Sequence, residues 1–277
     1  MELPVPTTAP HPIAPDTWLI PNLVAAAPDQ YLGVNSMVIR GAEPIIIDTG
    51  APIHREPWLE QVFSLMDPED VRWVFLSHDD GDHKGALFDV LDMCPQATLV
   101  VNWFLDERQA LEQRLPLERT RWLEPGDTLD IGDRTLHLVL PPIFDGPTTR
   151  GVLDDRTGAM WIVDSFAALI SGDGFDVRDV PAELYDETFA QFNSLISPWH
   201  QWLDPVRYGQ HVDSVARLAP SVVASAHGPV HIGDAITDAF DRVRRLAGAP
   251  RLMGPGQDLL DELIAGVLGE EPEPASA

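Results

Sequence analysis

The stretch Ser77-His78-Asp79-Asp80-Gly81-Asp82-His83-Lys84-Gly85 sets two imidazoles and three carboxylates within six residues, directly after the apolar run Trp73-Val74-Phe75-Leu76. That run has the length and β-favouring content of a buried strand. His78 to His83 therefore belong to the loop leaving the strand, where Gly81 permits a tight turn, and Gly85-Ala86-Leu87-Phe88 opens a helix. A loop between a strand end and a helix start places its side chains in a crevice rather than in the core. Burying such groups unpaired costs several kcal/mol per charge, as an order of magnitude, so a divalent cation is their natural partner. The plain alternative is a solvated acidic turn that carries two histidines.

Composition narrows the reading. A chain of 277 residues with 44% hydrophobic content can bury a full core, as one large α/β domain with or without an appendage. The formal net charge is -26, from 44 acidic against 18 basic residues, and Lys84 is the sole lysine. A surface this negative repels nucleic acid and anionic membranes, so neither partner is expected. Cys94 is the only cysteine, which excludes internal disulfides and thiolate-held iron–sulfur centres; between Met93 and Pro95 it reads as a packing residue. Any metal must be held by His and carboxylate. Met1-Glu2-Leu3-Pro4-Val5-Pro6 has neither the basic region nor the apolar core of a leader, and no stretch reaches membrane-spanning length. The expectation is a soluble cytoplasmic protein.

Residues 1–15, rich in Pro, Thr and Ala, read as an extended arm, with structure starting at Thr17-Trp18-Leu19-Ile20. Gly33 to Arg40, Gly41-Ala42-Glu43 and Pro44 to Asp48 read as a hairpin feeding a buried strand. Asp48 either orients a metal ligand or caps the turn. Pro52 to Met66 has helical spacing, Thr98 to Val101 is a strand, and Trp103 to Leu115 reads as helix. Short strands then surround the Gly132-Asp133 turn, and Met160-Trp161-Ile162-Val163 ends at Asp164. Two helices joined near Ser197-Pro198 carry Tyr185, Trp199, His200 and Trp202. The strand Ser221 to Ser225 leads to Ala226-His227-Gly228-Pro229, residues 234–247 form a basic helix, and Asp258 to Leu268 form a short amphipathic one. The expected organisation is an arm over 1–15, a domain over 16–250, and a C-terminal helix with a disordered acidic tail over 251–277. Periodicity alone supports α/β.

The loop His78-x-Asp80-x-Asp82-His83 resembles the metallo-β-lactamase superfamily, whose signature is His-x-His-x-Asp-His. Asp80 in the second position resembles the flavodiiron and oxygen-binding diiron branch, which carries His-x-Glu-x-Asp-His. Asn35-Ser36-Met37 and Ile47-Asp48-Thr49-Gly50 resemble the opening of the same superfamily. The resemblance implies an αββα sandwich of two mixed β-sheets with outer helices. It also implies a bridging aspartate at Asp164 and a final ligand at His227, which match the family positions with their flanking residues. Where flavodiiron proteins place a histidine before Trp-Pro, the register through Pro147 puts Asp145, with His137 as the competitor and an Asx-turn role as the alternative. The implied set is His78, Asp80 and Asp145 on one metal, Asp82, His83 and His227 on the other, and Asp164 bridging.

Three imidazoles and four carboxylates carry four negative charges, which two divalent ions neutralise. An oxygen-rich set suits iron or manganese better than zinc, and iron is the expected metal. The resemblance then implies binding or reduction of dioxygen or nitric oxide, with electrons from a separate flavoprotein or other donor, since no flavodoxin-like stretch is expected after residue 250. The alternative is a zinc- or manganese-dependent hydrolase using a metal-bridging hydroxide, and a metal-free binding protein is a third. Tyr185, Trp199, His200 and Trp202 are expected to line the substrate pocket, with His200 as a proton donor. Lys84 is either a tuner of the metal field or a helix-start surface residue. Analogy with diiron relatives points to a homodimer.

Overall fold

The computed structural model of the protein describes residue 6, residues 8–172 and residues 174–269. In chain order it runs β1 (His11–Ala14), β2 (Thr17–Ile20), β3 (Leu23–Ala27), β4 (Gln30–Gly33), β5 (Ser36–Ile39), β6 (Ile45–Ile47), α1 (Arg55–Leu65), β7 (Trp73–Phe75) and α2 (Leu87–Met93). It continues through β8 (Thr98–Val101), α3 (Trp103–Gln109), β9 (Thr120–Trp122), β10 (Thr128–Asp130), β11 (Thr135–Val139), β12 (Gly151–Asp154), β13 (Ala159–Trp161) and β14 (Ile170–Ser171). The last elements are α4 (Ala182–Ile196), α5 (Pro205–Ala216), β15 (Val222–Ala224), β16 (His231–Ile232), α6 (Asp234–Arg244) and α7 (Gln257–Gly269).

Two sheets face each other. The first has the order β1-β2-β5-β6-β7-β8-β9, antiparallel from β1 to β6 and parallel from β6 to β9. The second has the order β10-β11-β12-β13-β15-β16 and is antiparallel except where β13 runs parallel to β15. A small sheet, β14-β4-β3, lies beside them.

Alternation along the strands builds the layers. Ile45 and Ile47 point into the core between the sheets, while Ile46 points to the opposite face against Trp58 and Val62 of α1 and Leu87 and Val90 of α2. All three isoleucines are fully buried, and each contributes about 1.5–3 kcal/mol of burial. On the other side, Phe189 of α4, Val212 of α5 and Phe240 of α6 belong to the same buried cluster as Val222, Val223 and Ala224 of β15. Helices α1 to α3 thus cover the first sheet and α4 to α6 the second, the αββα sandwich expected from the resemblance. Among the described residues no helix is long and apolar enough to cross a membrane.

The structure corrects three details. Residues 11–14, expected in an extended arm, form β1 and pair with β2, because His11 and Pro12 find open partners at Leu19 and Trp18 on the sheet edge. Helix α3 stops at Gln109 rather than Leu115, since turns over the following residues take up the backbone before Pro116. Helix α6 stops at Arg244, short of 247. The expected acidic tail over 270–277 lies outside the described residues, as do residues 1–5 and 7 of the arm.

Candidate metal centre

The parallel strands β6, β7 and β8 end on one edge of the sandwich, and the loop after β7 turns back there toward the ends of β13 and β15. Its closure depends on Gly85, where an added Cβ would come within 2.3 Å of the Ala51 carbonyl carbon. The bonds Gly85 N to Gly50 O (2.7 Å) and Thr49 N to His83 O (2.7 Å) hold the loop against the end of β6. The second sheet is clamped in turn. Asn35 Nδ2 donates to Ser225 O (3.0 Å) and Gly228 O (3.2 Å), and Ala226 N donates to Val163 O (2.7 Å). Val163, immediately before Asp164, has φ +58, a left-handed conformation that is a true outlier for a β-branched residue. Asp48 and Phe166 are also left-handed, so backbone strain gathers around this edge.

These constraints bring the expected residues together. Asp164 Oδ2 lies 3.3 Å from His78 Nε2, while its Oδ1 lies 3.2 Å from His83 Nε2 and 3.3 Å from His227 Nε2. Asp82 Oδ2 is 3.2 Å from His227 Nε2 and 3.8 Å from His83 Nε2. His78, Asp80 and Asp145 form one group whose ligand atoms all lie within 4.8 Å of one another, and Asp82, His83 and His227 form another. A third group, His78, His83 and Asp164, joins the two.

The far sides of the imidazoles are fixed by the protein. His83 Nδ1 is 3.0 Å from Asp48 Oδ2, and His227 Nδ1 is 2.8 Å from the Gly33 carbonyl oxygen. Asp48 also accepts from Ser77 N (2.7 Å), Ser77 Oγ (2.6 Å) and Trp161 Nε1 (3.1 Å). Its role as an orienting group, open in the sequence, is therefore visible in the hydrogen bonds. Trp161, the Gly33 carbonyl and Thr149, whose hydroxyl donates to Asp145 Oδ1 at 2.6 Å, escaped the sequence reading. The Trp161 indole is a core residue by every sequence signal, and a backbone carbonyl has none.

Burial alone would raise the Asp164 pKa, yet the imidazoles of His78, His83 and His227 hold it well below the usual carboxylate range. Burial pulls His227 down, and the Asp164 and Asp82 carboxylates outweigh that and lift it to about 10. Asp82 is raised by burial and lowered more by His227 and His83, ending at about 2. Asp80 is raised, first by burial and then by the charges of Asp145, Asp164 and Asp82 against the opposing pull of His78. The pocket thus draws positive charge onto its imidazoles, the place a cation would take.

The residues fit a metal pair on one further observation. His78 Nε2, His83 Nε2 and Asp164 Oδ1 are buried with no hydrogen-bond partner, and they face each other. Buried polar atoms are nearly always paired, so three orphans converging on one point need a ligand in common.

Other candidates lie elsewhere. His137 is half-exposed on β11, 3.9 Å from Asp155, and belongs to none of these groups. His200 does not reach the centre as a proton donor. It is fully buried, with Nδ1 against Leu246 O (2.8 Å) and Nε2 against Ser194 Oγ (2.7 Å), so both ring nitrogens are engaged in packing the helices. Tyr185 is likewise committed, its hydroxyl 2.7 Å from His231 Nε2. Trp202 is exposed, and Trp199 packs on Phe144, the neighbour of Asp145. Lys84 turns away to Gln109 and Glu112, at 2.9 Å each, which makes it a surface strut.

A family model described as ODP family beta lactamase matches residues 32–228. The putative diflavin flavoprotein A 2 of Nostoc sp. is 26% identical over 211 residues, covering 74% of this chain and 35% of that protein. The flavo-diiron protein FprA2 of Clostridium acetobutylicum is 21% identical over 202 residues, covering 71% of this chain and 48% of that one. The chain therefore spans about a third to a half of the length of these curated relatives. Among solved structures, the flavodiiron protein from Giardia intestinalis superposes with a TM-score of 0.74 at 17% identity, covering 88% of this chain and 60% of that chain. Rubredoxin oxygen:oxidoreductase from Desulfovibrio gigas superposes with a TM-score of 0.72 at 16% identity, covering 85% and 61%.

Proposed function

The chain belongs to the ODP family of beta-lactamase-fold proteins, and from that premise we propose that it is a binuclear, non-haem diiron protein that binds or reduces dioxygen or nitric oxide. The observation that carries this reading is the convergence of the unpartnered His78 Nε2, His83 Nε2 and Asp164 Oδ1. His78, Asp80 and Asp145 would hold one ion and Asp82, His83 and His227 the other, with Asp164 offering one oxygen to each side. A pair of irons held there would supply the electrons and open positions that a diatomic substrate needs.

The protein's own contribution is electrostatic and geometric. Four carboxylates among seven donors make an oxygen-rich set, which would suit iron better than zinc. Asp48 and the Gly33 carbonyl fix the orientations of His83 and His227, so these imidazoles present Nε2 without reorganisation. The buried walls around His78, His83 and Asp164 exclude bulk water from one side. Electrons would come from a separate flavoprotein or another donor; the names of the relatives, which call those proteins flavoproteins, support flavin as the source but not its placement on a separate chain.

The test is metal analysis of protein purified without oxygen, with optical spectra before and after exposure to air. Two irons per chain and a new near-ultraviolet absorption on oxidation are expected. Two zincs and a silent spectrum would move the protein to the hydrolases, and a metal-free protein would overturn the reading outright.

A further inference from the structure

Six of the seven proposed metal donors sit in the loop after β7 or just past the ends of β13 and β15. Asp145 alone has no strand end to fix it. It lies midway along residues 140–150, an irregular segment between β11 and β12. Its carboxylate accepts from the hydroxyl of Thr149, four residues on, so the place of Asp145 follows that of the Thr148-Thr149 pair.

Two side chains outside the donor set hold that pair. Asn102, which caps α3 by accepting from Leu105 N, donates through Nδ2 to Thr148 O at 2.6 Å. Asp79 Oδ1 accepts from Thr148 Oγ1 at 2.7 Å, and Asp79 Oδ2 lies 2.8 Å from Nε of Arg108 on α3. Thr148 and Thr149 are buried, and the Asp79 side chain is only 7% exposed, whereas that of Arg108 is half open to solvent. The bond Arg150 N to Ser77 O (2.8 Å) ties the end of the segment to the loop after β7.

Asp79 stands between His78 and Asp80 yet belongs to none of the three donor groups. A further buried carboxylate in an already acidic pocket is unfavourable unless it is paired. Arg108 supplies that pairing, and the two oxygens of Asp79 are thereby engaged, one by Arg108 and one by Thr148.

We propose that Asp79 is a positioning residue for Asp145. By binding the Thr148 hydroxyl it fixes the Thr148-Thr149 pair, and through the Thr149 hydroxyl it fixes the carboxylate that completes the His78–Asp80 ion site, while Arg108 balances its charge. The inference rests on the binuclear reading and adds to it residues outside the donor set.

The experiment is an anaerobic titration of the full chain with ferrous ion in competition with a chelator, giving two binding constants, with native mass spectrometry for the stoichiometry. Thr148→Val keeps the shape of the buried side chain and removes the donor. It is expected to weaken one ion about 10–100-fold and to leave the other within about twofold. Thr148→Ser, which keeps a hydroxyl, should restore wild-type binding of both. Placed on Asp145→Ala, Thr148→Val should leave the remaining ion unchanged, a result that general loosening of the fold would not give. Asp79→Ala should weaken the same ion and serves where Thr148→Val does not fold. Wild-type constants in a folded Thr148→Val or Asp79→Ala, equal weakening of both ions by Thr148→Val, or further weakening on the Asp145→Ala background would overturn the proposal alone. A wild-type chain that takes up fewer than two ions would overturn the binuclear reading and the proposal with it.

Discussion

His83 Nδ1 lies 3.0 Å from Asp48 Oδ2 across 35 positions of sequence, and the same carboxylate oxygen takes the Ser77 hydroxyl and the Trp161 indole. One buried aspartate at the end of β6 thus ties the first sheet, the loop after β7 and the end of β13. Asp48→Asn should keep the fold, by circular dichroism, while metal affinity falls about 10–100-fold in chelator competition. Wild-type affinity would show that His83 is oriented by its backbone alone.

Asp145 is held by the Thr149 hydroxyl and sits with His78 and Asp80. Asp145→Ala is expected to lower the metal content from two ions to about one per chain, because one of the two sets of donors then loses a carboxylate. Mass spectrometry of the native protein reads the stoichiometry directly. A variant that still carries two ions would leave Asp145 as a turn carboxylate.

Removing metal should destabilise the protein. Ions that bind only the folded chain stabilise it by about 3–4 kcal/mol at 100- to 1,000-fold above their dissociation constant. Chelation followed by calorimetry should lower the Tm by several degrees, and re-addition of ferrous ion under anaerobic conditions should restore it. An unchanged Tm would mean that no tightly held ion had been removed.

His231 gives a pH dependence outside the metal centre. Burial drops its pKa to about 4, and the ring is neutral in the folded protein beside the Tyr185 hydroxyl. In the unfolded chain the ring charges near its ordinary value of 6.5. Between these values the unfolded state binds more protons, so the stability contribution is full above pH 6.5 and is lost as pH falls toward 4. The loss attributable to this residue is about 3 kcal/mol. Urea titrations at pH 7.5 and 4.5 should show it, and His231→Gln should flatten the difference. An equal pH dependence in the variant would assign the loss to other groups.

Gly85→Ala tests the loop closure. A Cβ there meets the backbone at Ala51, Pro52 and Gly50 within 2.6 Å, and backbone cannot step aside as a flexible side chain can. A destabilisation of about 1–3 kcal/mol is expected in denaturant titration, with weaker metal binding because His83 is displaced. A variant as stable as wild type would show that the loop has room the structure does not reveal.

The chain wrote some of this architecture openly and hid the rest for physical reasons. The strand before His78 was legible because three or four β-favouring residues followed by a polar loop form a local signal. Asp164 and His227 were legible because each follows an apolar run at a strand end. The partnership of His227 with Gly33 spans 194 positions and uses a carbonyl that every residue possesses, so no side chain advertises it. His200 misled because its burial depends on Ser194 of α4 and Leu246 in the turn after α6 meeting it, a tertiary event. Strand β1 was hidden by Pro12, which is acceptable there because β1 is an edge.

Because His78, Asp80, Asp82 and His83 hang from the first sheet whereas Asp145, Asp164 and His227 hang from the second, ions seated between them would act as rivets across the seam of the sandwich. Amide hydrogens of β7 and β13 should then exchange at a shared, slow rate in the loaded protein. Stripped of its rivets, the molecule should let the two halves breathe separately.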